Sequence, residues 1–408
     1  MPDRRIIALG LVAALAALGG CAGGPRHPAA DPASIRRAHR QGVEFLLRDQ
    51  NADGSWGTFE SSRPGEIYLG TVSSFNAFHQ ATSALCCMAL AQPSREIPAA
   101  KAALDRGLHF LLTVEPSNRA TGDTFYDNWT HLYVLQALSV FLQDERFAVM
   151  HKELRRVAER ELGTLARLQS ADGGFGYYDF GWALKRPMGM ESTSFMTSAA
   201  LMALDEAKRA GLTVPDPMIR SGLASLSGLR LGDGAFIYSH YAALRPGVLF
   251  NRVNGSLGRS QPCNLAMWTF HHKDLKNSDL VRGLDNLFTQ HAFIEMGRGR
   301  PYPHEAWYYT AGYYFFFGHY YAARVIEQLE PAERPAWRSK LASTLVRLQD
   351  PDGSWFDFPL YGYYKEYGTA FALMSLQYGL PMPEVTASEA PKNEDDPAAP
   401  PPVRRPGG

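Results

Sequence analysis

The chain has 408 residues, 45% of them hydrophobic and 12% aromatic, enough to bury one large core or two ordinary ones. Its 41 basic residues are balanced by 41 acidic ones with no Lys/Arg run. The electrostatic footprint of nucleic-acid binding is therefore missing, and no nucleic-acid partner is expected.

Residues 1–20 read as a signal peptide. Arg4 and Arg5 precede an apolar run from Ile6 to Leu18, long enough for a signal core and too short to span a bilayer comfortably. Leu18-Gly19-Gly20-Cys21 matches the bacterial lipobox. By that resemblance Cys21 is lipidated and begins the mature chain, residues 21–33 are a tether, and the body is held at the bacterial cell envelope, outside the cytoplasm. A plain secretory signal is the alternative.

Two kinds of helix then alternate over residues 34–380. Amphipathic segments are expected at 34–49, 97–114, 147–169, 216–230, 276–292 and 332–349, with charged faces such as Arg155, Arg156 and Glu159. Between them lie segments with little polar surface: His79 to Ala91, Asp127 to Leu142, Ser192 to Ala207, Ser260 to Phe270, Trp307 to Ile326 and Tyr367 to Tyr378. Such helices need cover on every side, so they form an inner ring and the amphipathic ones an outer ring. The expected fold is all-α, a barrel of six outer and six inner helices. Cys86, Cys87 and Cys263 imply no disulfide framework, since adjacent Cys86 and Cys87 point to different sides of a helix. Residues 381–408, rich in Pro, Ala, Glu and Asp, read as a disordered tail.

A repeat underlies the alternation. Gln50-Asn51-Ala52-Asp53-Gly54-Ser55-Trp56, Gln169 to Phe175, Leu231 to Phe236 and Gln349 to Trp355 share an Asp-Gly turn and a following aromatic. The Asp residues are spaced by 119, 61 and 119 residues, a period near sixty with the second and fifth copies degenerate. Asp and Gly at these positions have a turn to make, which argues against catalytic acids there.

Gly42-Val43-Glu44-Phe45-Leu46-Leu47-Arg48-Asp49-Gln50, continuing to Gly54-Ser55-Trp56, resembles the QW repeat of the prenyltransferase and squalene-cyclase superfamily. Gln349, Gly353 and Trp355 match its second half. The resemblance spans about residues 34 to 380 and implies an α/α toroid like those of terpenoid cyclases and protein prenyltransferases. It also implies where chemistry would sit, at the first turns of inner helices. Class II cyclases carry Asp-x-Asp-Asp there; the matching Ser194-Phe195-Met196-Thr197-Ser198-Ala199 contains no carboxylate. The acidic run Glu394-Asp395-Asp396, which class I chemistry would need, falls in the tail. Gly258 to Trp268 and Trp307 to Thr310 resemble the zinc-binding segments of prenyltransferases, with Gln261 in place of the Asp and Tyr309 in place of the His. Cys263 alone is left, so no metal and no cofactor are expected. The Cys-Gly-Glu-Gln segment of thioester proteins is absent.

Other polar groups fall near the expected inner-helix starts. Asp127 and His131, four apart on one face, suit an acid/base pair, or else an N-cap and a hydrogen-bonded core histidine. His79, Glu191 and Arg259 occupy comparable positions as ligand contacts or caps, and His304, Glu305 and His319 flank the fifth inner helix. Phe78, Trp129, Tyr308, Tyr309 and Tyr313 would line a cavity or pack as core. The leading expectation is an envelope toroid binding an apolar or isoprenoid-like small molecule in its centre, without cyclase or zinc-transferase chemistry. The alternatives are an enzyme with a rearranged site and a scaffold that recruits envelope proteins.

Overall fold

The computed structural model describes residues 29–60, 72–117, 125–176, 187, 189–245, 247–300, 307–310, 312–359 and 361–378. The expected signal peptide, Cys21, His304, Glu305 and the tail lie outside the described residues. The amphipathic helices are α1 (Pro32–Arg48), α3 (Pro98–Thr113), α5 (His151–Leu168), α7 (Asp216–Gly228), α9 (Asn277–Thr289) and α11 (Arg334–Arg347). Alternating with them are α2 (Val72–Leu90), α4 (Asn128–Leu142), α6 (Ser194–Arg209), α8 (Val253–Thr269), α10 (Phe315–Ile326) and α12 (Tyr364–Gln377).

The difference between the two kinds is visible residue by residue. In α5, Leu154, Val157, Ala158, Leu162 and Leu165 form one buried stripe, while α4 is buried almost all round from Thr130 to Leu142. Each even-numbered helix packs on the next, and α12 returns to pack on α2, which closes the inner ring. Every odd-numbered helix from α3 to α11 lies against the inner helix before it, and α1 lies against α12. Among the described residues the result is the expected α/α toroid, six long helices outside six.

Its joints are built from the repeated turn. Asp53, Asp172, Asp233 and Asp352 each accept, at 3.0 Å, the backbone N–H two residues on. All four Asp side chains are occupied in turn geometry. Gly54 and Gly353 have φ of +91° and +90°, and a Cβ on Gly54 would lie 2.4 Å from the Arg106 carbonyl oxygen. The aromatics that follow, Trp56, Phe175, Phe236 and Trp355, are fully buried. Gln50, Gln169 and Gln349 each donate to a carbonyl on the next outer helix: Ala103 at 2.8 Å, Met218 at 2.9 Å and Ala38 at 2.9 Å. The last of these joins α11 to α1 and closes the outer ring with the bond used inside it.

Inner-helix starts differ from the sequence expectation. α2 begins at Val72, so His79 lies two turns in, and α8 begins at Val253, so Arg259 is also inside the helix. No Pro separates Val72 from His79, and the glycines at the start of α8 are needed for close packing: a Cβ on Gly258 would meet the Tyr314 carbonyl oxygen at 2.7 Å. α10 starts late, at Phe315. Trp307–Tyr309 is a separate single turn in which Tyr308 and Tyr309 take left-handed φ of 60° and 52°, which no helix can continue through.

Candidate functional site

The side chains that point at the ring axis are those that touch across it, between inner helices that are not neighbours. Trp129 on α4 meets Phe317 on α10 with ring centroids 5.9 Å apart, and Tyr133 on α4 meets Phe371 on α12 at 6.0 Å. Phe195 on α6 lies 6.1 Å from Trp129 and 4.8 Å from Tyr314. Towards the turns, Phe78 is sandwiched by Tyr126 at 4.9 Å and Tyr363 at 5.5 Å. The axis is thus an aromatic column, and Trp129 and Phe78 stand in it. The hydroxyls of Tyr133 and Tyr321 are buried in this column without a protein partner.

Asp127 and His131 are brought together, but they face outward. Asp127 precedes α4 yet does not cap it; its Oδ2 is 3.2 Å from His131 Nε2. The other ring nitrogen of His131, Nδ1, is 2.6 Å from Oε2 of Glu161 on the outer helix α5. Arg160 in turn donates to Glu161 Oε1 at 2.8 Å. Burial by itself would lower the His131 pKa, and the hydrogen bonds and charges of Asp127 and Glu161 outweigh it, raising the value to about 9. Burial likewise opposes ionisation of Glu161, but His131 and Arg160 hold its pKa below the usual value. With both nitrogens engaged, the imidazolium binds the two rings together and has no lone pair to act as a base. Glu161 is the member the sequence reading missed, although a carboxylate on the apolar stripe of α5 was a legible signal.

Arg259 is also committed. It donates to the carbonyls of Gly255 at 2.6 Å and Phe236 at 3.2 Å, and to that of Phe250, and its guanidinium covers the Tyr238 ring. Cys263 is fully buried against the Ser194 carbonyl at 3.5 Å and Ser198 Oγ at 3.7 Å, and burial pushes its thiol up to about 12. His79 packs between Phe59 and Phe110, and burial lowers its pKa. Glu191, ahead of α6, is pushed up by burial and by Asp172, while Thr193 caps the helix. Tyr308 packs on Phe293 and Tyr309 is half exposed, both off the inner ring; the Tyr313 side chain lies outside what is described. His319 is fully buried and spans His291 Nε2 at 3.0 Å and the Phe315 carbonyl at 2.7 Å.

One carboxyl near the inner-helix starts was not anticipated. Asp357 is fully buried, and its Oδ2 accepts the Phe316 N–H in the first turn of α10 at 3.1 Å. Oδ1 has no hydrogen-bond partner, and burial raises the pKa to about 7 against the pull of the Phe316 and Phe358 backbone N–H groups and the Arg298 charge. Among the described residues no three metal-ligating side chains cluster, and no helix is long and apolar enough to cross a membrane.

No protein-family model matches the chain, and no curated relative does. Solved structures do. The chain is similar to a variant of the type II terpene cyclase MstE from Scytonema bound to merosterolic acid A, with TM-score 0.50 and 14% identity over 85% of this chain and 97% of that one. It is similar to cellobiose 2-epimerase from Bacillus thermoamylovorans, with TM-score 0.52 and 10% identity over 84% and 98%. An α-1,6-mannanase from a Salegentibacter species gives TM-score 0.52 and 8% identity over 84% and 99%. At these identities the likeness is one of fold, shared by enzymes of unrelated chemistry: the chain is a terpenoid-cyclase-like α/α toroid.

Proposed function

We propose that the toroid binds an apolar, isoprenoid-like small molecule among the aromatic rings of its axis, which part to admit it, and performs neither alkene protonation by an Asp-x-Asp-Asp acid nor zinc-dependent transfer. One observation carries this reading: every cross-axis contact described above is aromatic, while Asp127, His131, Arg259 and Cys263 are turned aside and held by protein groups. Aromatic walls suit an isoprenoid chain, and the partnerless Tyr133 and Tyr321 hydroxyls suit one polar end of it. Native mass spectrometry of protein incubated with a C20 isoprenoid alcohol tests it. Retention of the alcohol by the parent and its loss in Trp129→Ala is the expected result; no retention, or equal retention by the variant, removes the proposal.

A second reading, an enzyme, is favoured by Asp357, a buried carboxyl whose pKa, raised to about 7, keeps about half of it protonated at neutral pH and able to donate a proton. Any activity found on isoprenoid substrates that survives Asp357→Asn would eliminate that reading.

The lipobox resemblance further leads us to propose that Cys21 anchors the protein to the envelope. Labelled fatty acid should enter the parent expressed in a bacterium and not Cys21→Ser; an unlabelled parent would refute the anchor.

A further inference from the structure

The inner ring ends, away from the Asp-Gly turns, at a second opening. A cavity of about 400 Å³ is lined there by Met202 on α6, Leu265, Trp268 and Thr269 on α8, Arg324 on α10 and Tyr378 after α12, with Arg209, His271, Glu327 and Gln328 at its edge. That volume falls in the lower part of the ~300–1,000 Å³ range of small-molecule sites.

The charges around it are unequally spent. Glu327 is paired with Arg338 and lies 3.9 Å from Arg334. Arg209 is 3.1 Å from Asp205. Arg324 differs: among the described residues no carboxylate lies within 4.0 Å of its guanidinium, which donates to the Tyr320 hydroxyl at 3.5 Å and lies 5.8 Å over that ring, while Glu206 and Asp205 act on it only from farther off. Helix C-termini attract cations, so an arginine here could simply balance the converging carbonyl ends. Arginines with that task in this protein bond the carbonyls, as Arg334 does with Leu329 at 2.8 Å and Arg155 with Ala210 and Gly211 at 3.2 and 3.1 Å. Arg324 makes no such bond. It lines the cavity together with Trp268, Tyr378, Met202 and Leu265.

We infer that this opening is a binding site for a small organic anion, a carboxylate or phosphate ester attached to a flat or apolar body. The anion would take a bidentate bond from Arg324, with Thr269 and Gln328 as further donors, and the body would lie against Trp268. The site lies at the end of the aromatic column away from the Asp-Gly turns, and Tyr320 joins the two, packing on Phe371 at 5.4 Å.

Calorimetric titration of the full chain with phenyl phosphate, inorganic phosphate and phenol tests the assignment. Phenyl phosphate should bind, inorganic phosphate at least tenfold more weakly, and phenol not at all; Arg324→Gln should lose at least tenfold. Gln328→Ala, at an exposed edge, should keep the fold and weaken binding severalfold, so a misfolded Arg324 variant would not leave the question open. Binding of vesicles containing phosphatidylglycerol, lost in Arg324→Gln and not seen with phosphatidylcholine alone, would assign the anion to a lipid headgroup; binding of phenyl phosphate without vesicle binding would assign it to a soluble ligand. No heat with phenyl phosphate, or heat unchanged in Arg324→Gln, overturns the inference.

Discussion

His131 on the inner ring lies 2.6 Å from Glu161 on the outer ring, a charged contact with both side chains more than nine-tenths buried. Two ions removed from water can hold each other only if their remaining groups are also satisfied. Asp127 and Arg160 supply those bonds, so the cluster locks α4 to α5.

Stability should therefore fall in alkali. The His131 pKa is raised in the folded state, so its contribution is fully present below pH 6.5 and is lost as pH rises through about 9. The span corresponds to on the order of 3 kcal/mol. Urea unfolding at pH 6 and pH 10 should show a larger drop for the parent than for His131→Gln; equal drops would assign the loss to other groups.

Removing one partner should cost more than titrating it. Glu161→Leu leaves the buried imidazolium with Asp127 as its one carboxylate and strands its Nδ1–H, with an expected loss of about 3–5 kcal/mol. A loss under about 1 kcal/mol in denaturant unfolding would contradict the charged assignment.

The three buried thiols should be inert in the native state. Cys86, Cys87 and Cys263 are all inaccessible, and burial raises each pKa. In a Cys21→Ser background, Ellman's reagent should react with none of them until denaturant is added, then with all three. Rapid labelling of Cys263 in the folded protein would revive it as a reactive group.

Glycine substitutions should split by position. Gly54→Ala forces a Cβ against the Arg106 carbonyl at a φ that alanine resists, so a loss above about 2 kcal/mol is expected. Gly163, exposed in α5 with nothing within 4 Å of an added Cβ, should gain about 0.5–1 kcal/mol as alanine. Thermal melts of the two variants should move in opposite directions.

How much of this was legible depended on what each residue must do. Asp53, Asp172, Asp233 and Asp352 recur because each joint needs the same turn, so spacing alone revealed the repeat, and the two kinds of helix with the QW resemblance pointed to its closure. Asp127 and His131 could be paired because helix geometry links positions four apart, but their third member lies 30 residues on, across a packing interface that only tertiary structure supplies. Tyr308 and Tyr309 sit in an aromatic run that reads as inner helix; nothing local marks their left-handed backbone. Arg324 resembles any cation in a last helical turn. Its difference is the lack of a close carboxylate, a property of the neighbourhood rather than of the residue.

The bond from Gln349 to Ala38 has a consequence for how such a protein can change. An open stack of hairpins may be shortened or extended at its ends, since each member touches only two others and the terminal ones can be replaced. Here the sixth hairpin is fastened to the first, so the circumference admits only a whole number of members at one curvature. Losing a single hairpin would strand its two neighbours and require every remaining crossing angle to change, which makes the count of six a property of the whole ring.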